Sequence, residues 1–346
     1  DYKLTPYQWR NFIDSKDKTI LLIGGPHRSG TTIVWKAITE HPDVVGFGDK
    51  FETGVDYSEG VLFQDVYPRF GVGLEFKKNF GQTNRAKGED EETQGGLGRY
   101  ALLPEHEVHW TKENHKELLK NPTTLSRLLN RFAPYWDKNK KYGREDGLNK
   151  AKVWVEKSPQ NGVLTTFLEG VYNMPVLEDG SVDTSSAASS RGKDGNTSTK
   201  FLYMTRHPIA NIYAIDHFVK NAMGGYIDFE ILLRNYIQLH KYMKMDEKAL
   251  DSPSHWVRLE DFTGSPGPAE TLRSVFSFLD VSTDESVINQ ILERIGKVKS
   301  DPNAKYMREW CTEGMQKYAY LFEKYEDDLK SLNLGYELDV CVEALN

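Results

Sequence analysis

Residues 23–32 read IGGPHRSGTT and follow directly on the apolar run that starts at Thr19. The run is long and apolar enough for a buried β-strand. It breaks at Gly24, Gly25 and Pro26, and the chain resumes at Thr32 with helical spacing of Ile33, Val34, Ala37 and Ile38. A strand, a glycine-rich turn and a helix in that order aim several backbone N–H groups and the positive end of a helix dipole at one point. The stretch therefore predicts an α/β fold with an anion site at the first βα turn.

The spacing nearly matches the nucleotide-hydrolase loop GxxxxGK[ST], with Gly25 and Gly30 as the two glycines, but Thr31 stands where the lysine belongs. Arg28, inside the loop, is the local cation that can replace it, because its planar fork suits phosphate or sulfate oxygens. A nucleotide kinase or NTPase using this loop is the competing reading. Thr31, and MTRHP at 204–208 where an acidic magnesium-binding residue would stand, count against it.

Together with HPDV at 41–44, the loop resembles the 5′-phosphosulfate loop of sulfotransferases that use 3′-phosphoadenosine 5′-phosphosulfate (PAPS). It is closest in style to the tyrosylprotein and carbohydrate or heparan-type enzymes. VEKSP at 155–159 resembles the segment that supplies their catalytic lysine. FLYMTRHPIANIYA at 201–214 resembles the strand, arginine and helix that bind the 3′-phosphate, and WVRLEDF at 256–262 echoes a further strand of the superfamily. The resemblance implies a P-loop-type three-layer α/β/α fold with a central, mostly parallel sheet, in a single domain over 1–346. It also implies transfer of a sulfuryl group from PAPS to a hydroxyl, with 3′-phosphoadenosine 5′-phosphate (PAP) as product and no metal.

The resemblance places Gly25, Pro26, His27, Arg28, Ser29, Gly30, Thr31 and Thr32 around the 5′-phosphosulfate, and Arg206 and Asn211 at the 3′-phosphate. Arg28 and Lys157 form the catalytic cation pair. The families carry a serine eight residues after the arginine, where this chain has Ala214; Asn211, Tyr213 or the lysines 297, 299 and 305 are the substitutes available. For the general base, Pro159 stands where aryl sulfotransferases have a histidine. The remaining candidates are Asp49 and Glu52 in GFGDKFETG, with Glu52 reaching further, and His106 and His109 in PEHEVHW. A non-catalytic nucleotide-binding module of the same fold is a third reading, supported by Ala214 alone.

Composition sets the limits. The 346 residues, 38% of them hydrophobic, suffice for one large core, and a net charge of −7 argues against a nucleic-acid partner. No run of eighteen apolar residues spans a membrane within this chain, although its start at Asp1 leaves room for a removed N-terminal signal or anchor. Cys311 and Cys341 are too few for a zinc cluster and could stay thiols or form one bridge. The sequon at Asn196 and the resemblance to Golgi enzymes favour the Golgi lumen or secretory pathway over the cytoplasm. The acceptor is expected to be a hydroxyl of a glycan, a peptide or a small metabolite.

Along the chain, 46–99 reads as a loop-rich recognition stretch with Phe47, Phe51, Tyr57, Phe63, Tyr67 and Phe70, and 111–149 as helical. Residues 178–199, rich in Ser, Gly, Asp and Thr, read as a flexible insertion. Helices are further expected over 162–172, 229–245 and 271–279.

Overall fold

The computed structural model describes residues 3–47, 109–139, 144–183, 198–223, 226–298, 301–339 and 341. Its centre is a five-stranded sheet: β1 (Thr19–Gly24), β2 (Val44–Val45), β3 (Val153–Lys157), β4 (Thr199–Thr205) and β5 (Ser254–Arg258). The strand order is β2-β3-β1-β4-β5, and every pairing is parallel. Parallel strands covered on both faces read as unbroken apolar runs, and ILLI of β1, at the middle of the sheet, is fully buried.

Helices cover both faces in a three-layer α/β/α arrangement. Connections in such sheets are right-handed, so crossovers leaving in opposite directions lie on opposite faces. The crossover from β1 to β2 carries α2 (Thr31–Ile38), whereas the one from β3 to β4 runs the other way and carries α4 (Thr165–Tyr172). α1 (Pro6–Ser15) packs on α3 (Thr123–Asp137), α3 and α6 (Phe229–Ala249) pack with α4, and α5 (Pro208–Met223) packs on α6. On the other face, following the short α7 (Leu259–Thr263), α8 (Pro268–Phe278) and α9 (Glu285–Ile295) meet α2.

The core shows why these faces close. Trp154 of β3 lies against Trp9, Phe12 and Trp136 of α1 and α3, at ring separations of 6.2, 5.8 and 5.3 Å. Residues 41–44, HPDV, end the α2 crossover. His41 is fully buried, its Nδ1 accepts the Asp43 N–H at 3.0 Å, and its Nε2 donates to the Ser282 carbonyl just beyond α8 at 3.0 Å. The motif is thus a corner that docks α2 on its neighbour.

The helical reading of 111–149 holds for α3 and for a turn at Gly147–Lys150, and fails over much of the rest. A single turn forms at Lys116–Leu119, and after α3 residue Lys138 pairs antiparallel with Glu145. DKNKKYGRED at 137–146 has no apolar period to sustain a helix. Of the insertion expected at 178–199, 178–183 lie in a turn closed by the Val176–Val182 bridge, Thr199 is instead the buried first residue of β4, and 184–197 lie outside the described residues. Cys311 and Cys341 are joined in a disulfide. Among the described residues no helix is long and apolar enough to cross a membrane.

The turn after β1 is tight enough to test. Gly25 has φ +145°, and a Cβ there would lie 2.3 Å from the Met204 carbonyl oxygen; at Gly30 (φ +94°) it would lie 2.6 Å from the end of the Leu259 side chain. A backbone obstacle cannot rotate away and a side-chain tip can. Urea denaturation should therefore show Gly25→Ala losing about 3 kcal/mol or more and Gly30→Ala about 1–2 kcal/mol. Equal losses would mean that the loop is looser than its geometry implies.

Candidate anion-binding and catalytic site

β1 ends beneath the loop, and each turn of the loop has an identified tie. The Gly25 N–H donates to the Pro159 carbonyl at 3.1 Å, which fastens the loop to the segment after β3. The Pro26 carbonyl accepts from the Ser29 N–H at 3.2 Å and from Ser29 Oγ at 2.7 Å. The His27 carbonyl accepts from Asn211 Nδ2 at 2.9 Å, and the Arg28 carbonyl from Arg206 Nη1 at 3.0 Å. Three consecutive carbonyls are thus tied, the first to Ser29 within the loop and the next two to side chains of the protein behind it. In a trans peptide the N–H points opposite to the carbonyl of the same unit, so the His27 and Arg28 N–H groups turn the other way.

The helix adds to them. The first intrahelical bond of α2 runs from the Val34 N–H to the Gly30 carbonyl at 3.3 Å, which leaves the N–H groups of Thr31, Thr32 and Ile33 ahead of the ladder. Arg28 itself is left-handed, with φ +65°, a conformation unfavourable for any residue bearing a Cβ. Its side chain is exposed, with the guanidinium 5.5 Å from the Phe218 ring. An arrangement of this kind binds an anion of phosphate or sulfate type.

Lys157 is the last residue of β3, in register with Ile23. Adjacent strands lie about 4.8 Å apart, so its backbone stands one strand from β1 and two residues before Gly25. Strand alternation places it with Val153 and Val155, opposite Trp154 and Glu156, and hence on the face of α2. The strand is two residues longer than its apolar run, and Lys157 is fully buried. Beside it, Ser158 Oγ is buried without a hydrogen-bond partner, and so is Asn211 Oδ1 beneath the loop. Both are groups that a bound ligand could satisfy.

The second anion site anticipated at the start of α5 is built differently. Arg206 is 5% exposed, and three of its five N–H donors are engaged: Nη1 with Arg28, Nε with Asn303 Oδ1 at 2.8 Å and Nη2 with the Pro302 carbonyl at 3.1 Å. At the helix N-terminus itself the His207 N–H donates to Glu260 Oε1 at 2.9 Å. The Glu260 carboxylate also accepts from Asn303 Nδ2 at 2.5 Å and from the Tyr336 hydroxyl at 3.1 Å. A carboxylate of the chain therefore sits where the sequence reading set a phosphate, and Arg206 and Asn211 brace the loop from behind. Burial pulls the Arg206 pKa below its ordinary value, opposed by Tyr306 and Glu260.

Sequence reasoning missed Glu260, Asn303, Tyr336 and the two histidines beside them. His207 Nε2 donates to the Glu337 carbonyl at 2.7 Å, and burial lowers its pKa. His240 Nδ1 faces the Tyr236 carbonyl at 2.8 Å, so that nitrogen carries the proton and Nε2 accepts from Thr205 Oγ1 at 2.9 Å. The only textual signal was the turn-forming DPN at 301–303, which gives no hint of its target.

The base candidates divide. Asp49, Glu52 and His106 lie outside the described residues. His109 is described, and the N–H of its neighbour Trp110 donates to the Val163 carbonyl, in the segment after β3, at 3.0 Å. Its Nε2 meets Asp246 Oδ1 at 2.8 Å and its ring stacks on Tyr242 at 4.2 Å. Asp246 is ten residues along α6 from Tyr236, whose hydroxyl donates to the Arg206 carbonyl. Gly162 borders both Gly25 and Met243, one turn before Asp246, so His109, paired with Asp246, packs on the same segment after β3 that borders the loop. Of the candidate lysines, Lys305 lies over the Tyr306 ring at 4.3 Å.

No family profile and no curated protein matches the chain. Solved structures that it is similar to include three sulfotransferases. A sulfotransferase from Alicyclobacillus acidocaldarius is 15% identical with a TM-score of 0.40, the match covering 91% of this chain and 99% of that one. The sulfotransferase domain from the curacin biosynthetic pathway is 15% identical with a TM-score of 0.38, over 94% and 95% of the two chains. Sulfotransferase STF9 from Mycobacterium avium is 10% identical with a TM-score of 0.39, over 97% and 83%. Likeness at this level assigns no residue and no activity.

Two predictions follow from the side chains at the site. Burial holds the His240 pKa at about 4 against an ordinary 6.5, so the folded chain binds fewer protons than the unfolded one between those values. The stability contributed by the neutral ring is complete above pH 6.5 and is lost as the pH falls towards 4, by roughly 3 kcal/mol in all. Urea unfolding of wild type and His240→Gln from pH 7.5 to 4.5 should show a steeper acid loss in the wild type; parallel curves would refute the assignment. Arg28→Gly relieves the left-handed strain while removing the exposed cation. It should raise unfolding stability by about 0.5–1 kcal/mol and weaken pyrophosphate binding by about tenfold, read by thermal melts and calorimetry.

Proposed function

We propose that the chain is a sulfotransferase that moves the sulfuryl group from PAPS to a hydroxyl. The observation that carries this reading is the loop of 25–32, its backbone N–H groups turned outward by three tied carbonyls, with Lys157 one strand away on the face of α2. The residues fit the donor's 5′ end. Thr31, Thr32 and the loop N–H groups of His27 and Arg28 would hold its 5′-phosphosulfate, and Arg28 would neutralise it.

Sulfuryl transfer, like phosphoryl transfer, is an in-line displacement in which positioning and cations do most of the work. The bond broken joins sulfur to the bridging oxygen of the nucleotide phosphate, and the bond formed joins sulfur to the acceptor oxygen, with PAP departing. Charge grows on the bridging oxygen. Lys157, fixed by the strand register, stabilises that charge, and Arg28 shares it from inside the loop. The buried setting of Lys157 strengthens the interaction, because little water competes.

The acceptor proton needs a base. β2 delivers the chain, at Phe47, to the same edge of the sheet as Lys157, and Asp49 and Glu52 follow in sequence; Glu52 is the proposed base, with Asp49 as its alternative. The acceptor is a hydroxyl of a glycan, peptide or metabolite. Arg206 and Asn211 act at the nucleotide through the loop they brace. The Cys311–Cys341 bridge supports an oxidising setting such as the secretory pathway.

Calorimetry with PAP and with ATP plus Mg²⁺, followed by transfer assays with labelled PAPS, tests the reading. PAP should bind and ATP should bind weakly. Lys157→Ala should cost about 10²–10³ in kcat while moving the PAP affinity less than about tenfold. Binding of ATP with Mg²⁺ but not PAP would replace this reading with that of a nucleotide kinase.

A further inference from the structure

Arg206 reaches the Arg28 carbonyl from within a clasp made by one short segment. The Pro302 carbonyl takes Nη2, Asn303 Oδ1 takes Nε, and the Tyr306 ring lies 5.1 Å from the guanidinium carbon. Asn303 is 6% exposed and held on every side. Its own N–H and that of Ala304 donate to Asp301 Oδ1, each at 2.9 Å, and its carbonyl accepts from the Tyr306 and Met307 N–H groups at 2.8 and 3.0 Å.

The orientation of its amide follows from its neighbours. A guanidinium only donates and a carboxylate only accepts, so Oδ1 faces Arg206 and Nδ2 faces Glu260. The side chain therefore reads in one direction and couples two charged groups that it touches simultaneously. Glu260 in turn is fixed by the His207 N–H and the Tyr336 hydroxyl.

We propose that Asn303 is a positioning residue for the anion loop: it aims the Arg206 guanidinium at the Arg28 carbonyl and so holds Arg28 in the left-handed conformation that opens the loop N–H groups to an anion. Without that aim Arg206 can turn its Nη1 elsewhere, and the Arg28 peptide can rotate out of a conformation it disfavours. The loop then closes its own donors. Asn303 acts through Arg206 and touches no ligand. The inference rests on the anion-loop reading and on no particular donor.

The test uses the full chain as wild type, Asn303→Ala, Arg206→Ala and the double variant. Inorganic pyrophosphate and PAP are titrated by calorimetry, and the backbone amide resonances of Gly30 and Thr31 are recorded without ligand. Asn303→Ala should weaken both ligands by about tenfold or more, shift both resonances, and add nothing in the Arg206→Ala background. Asn303→Gln keeps both polar groups but displaces them by one methylene, and should show the same shifts with a smaller loss. That variant decides the matter if Asn303→Ala does not fold.

Affinities within about twofold of wild type and unmoved resonances in a folded variant would overturn the proposal, as would losses that add fully to those of Arg206→Ala. Wild type that binds pyrophosphate but not PAP, with pyrophosphate affinity lost in Asn303→Ala, would sink the PAPS reading and leave this one standing. Wild type that binds neither overturns both.

Discussion

Everything at the site depends on the tying of three consecutive carbonyls, that of Pro26 by Ser29 within the loop and those of His27 and Arg28 by side chains behind it. A loop of this length left to itself would satisfy its carbonyls and N–H groups with each other or with water. Engaging the Pro26 carbonyl with Ser29 and anchoring those of His27 and Arg28 outside the loop leaves the remaining donors with no internal acceptor, which is the condition for anion binding. Two of the three ties come from Arg206, just after β4, and Asn211 of α5, and a further tie, at Gly25, comes from the segment after β3. β1 must therefore lie between β3 and β4, as the sheet order provides. The fold is the jig that holds the loop open.

The two arginines near the loop divide the work by burial. Arg206 is almost wholly buried and its charge is met by carbonyls, by Asn303 and, one residue further, by Glu260, so its attraction for an outside anion is largely used up in binding protein. Arg28 is exposed, and the aromatic ring of Phe218 lies against its guanidinium. A buried arginine deprived of its partners would be strongly destabilising, whereas an exposed one can be removed at little cost to the fold. The first is accordingly an architectural cation, and the second is available for chemistry.

The sheet and its covering were legible in the sequence because buried parallel strands are continuous apolar runs, and β1, β3 and β4 stand out as such. The loop was legible because glycine spacing after a strand has few other meanings. Arg206 was identified as important, yet its partners were not. Pro302 and Asn303 are almost a hundred residues away in sequence, and no local pattern tells a turn-forming asparagine that clasps an arginine from one that faces water. The start of α5 misled for a related reason. A helix N-terminus invites an anion, and the sequence cannot say that the anion is the side chain of Glu260, contributed by the next strand's end. The partner of His109 was equally hidden: the Asp246 carboxylate that meets its Nε2 comes from α6, far along the chain.

The placement of Lys157 answers the question raised by Thr31. In a nucleotide hydrolase the cation comes from the first turn of the helix and shares that turn's mobility. Here the helix position carries a threonine, and the lysine comes from the neighbouring strand, where Ile23 and Lys157 are partners in a hydrogen-bonded ladder. A residue held by sheet register cannot shift along its strand without breaking every pairing behind it. The distance between the loop backbone and the lysine backbone is thus set by strand spacing, leaving side-chain reach as the main adjustable quantity. A transferred group that sits between two such fixed points needs little reorganisation of the protein when charge moves from one side to the other, which is the form of preorganisation that a displacement through a loose transition state can use.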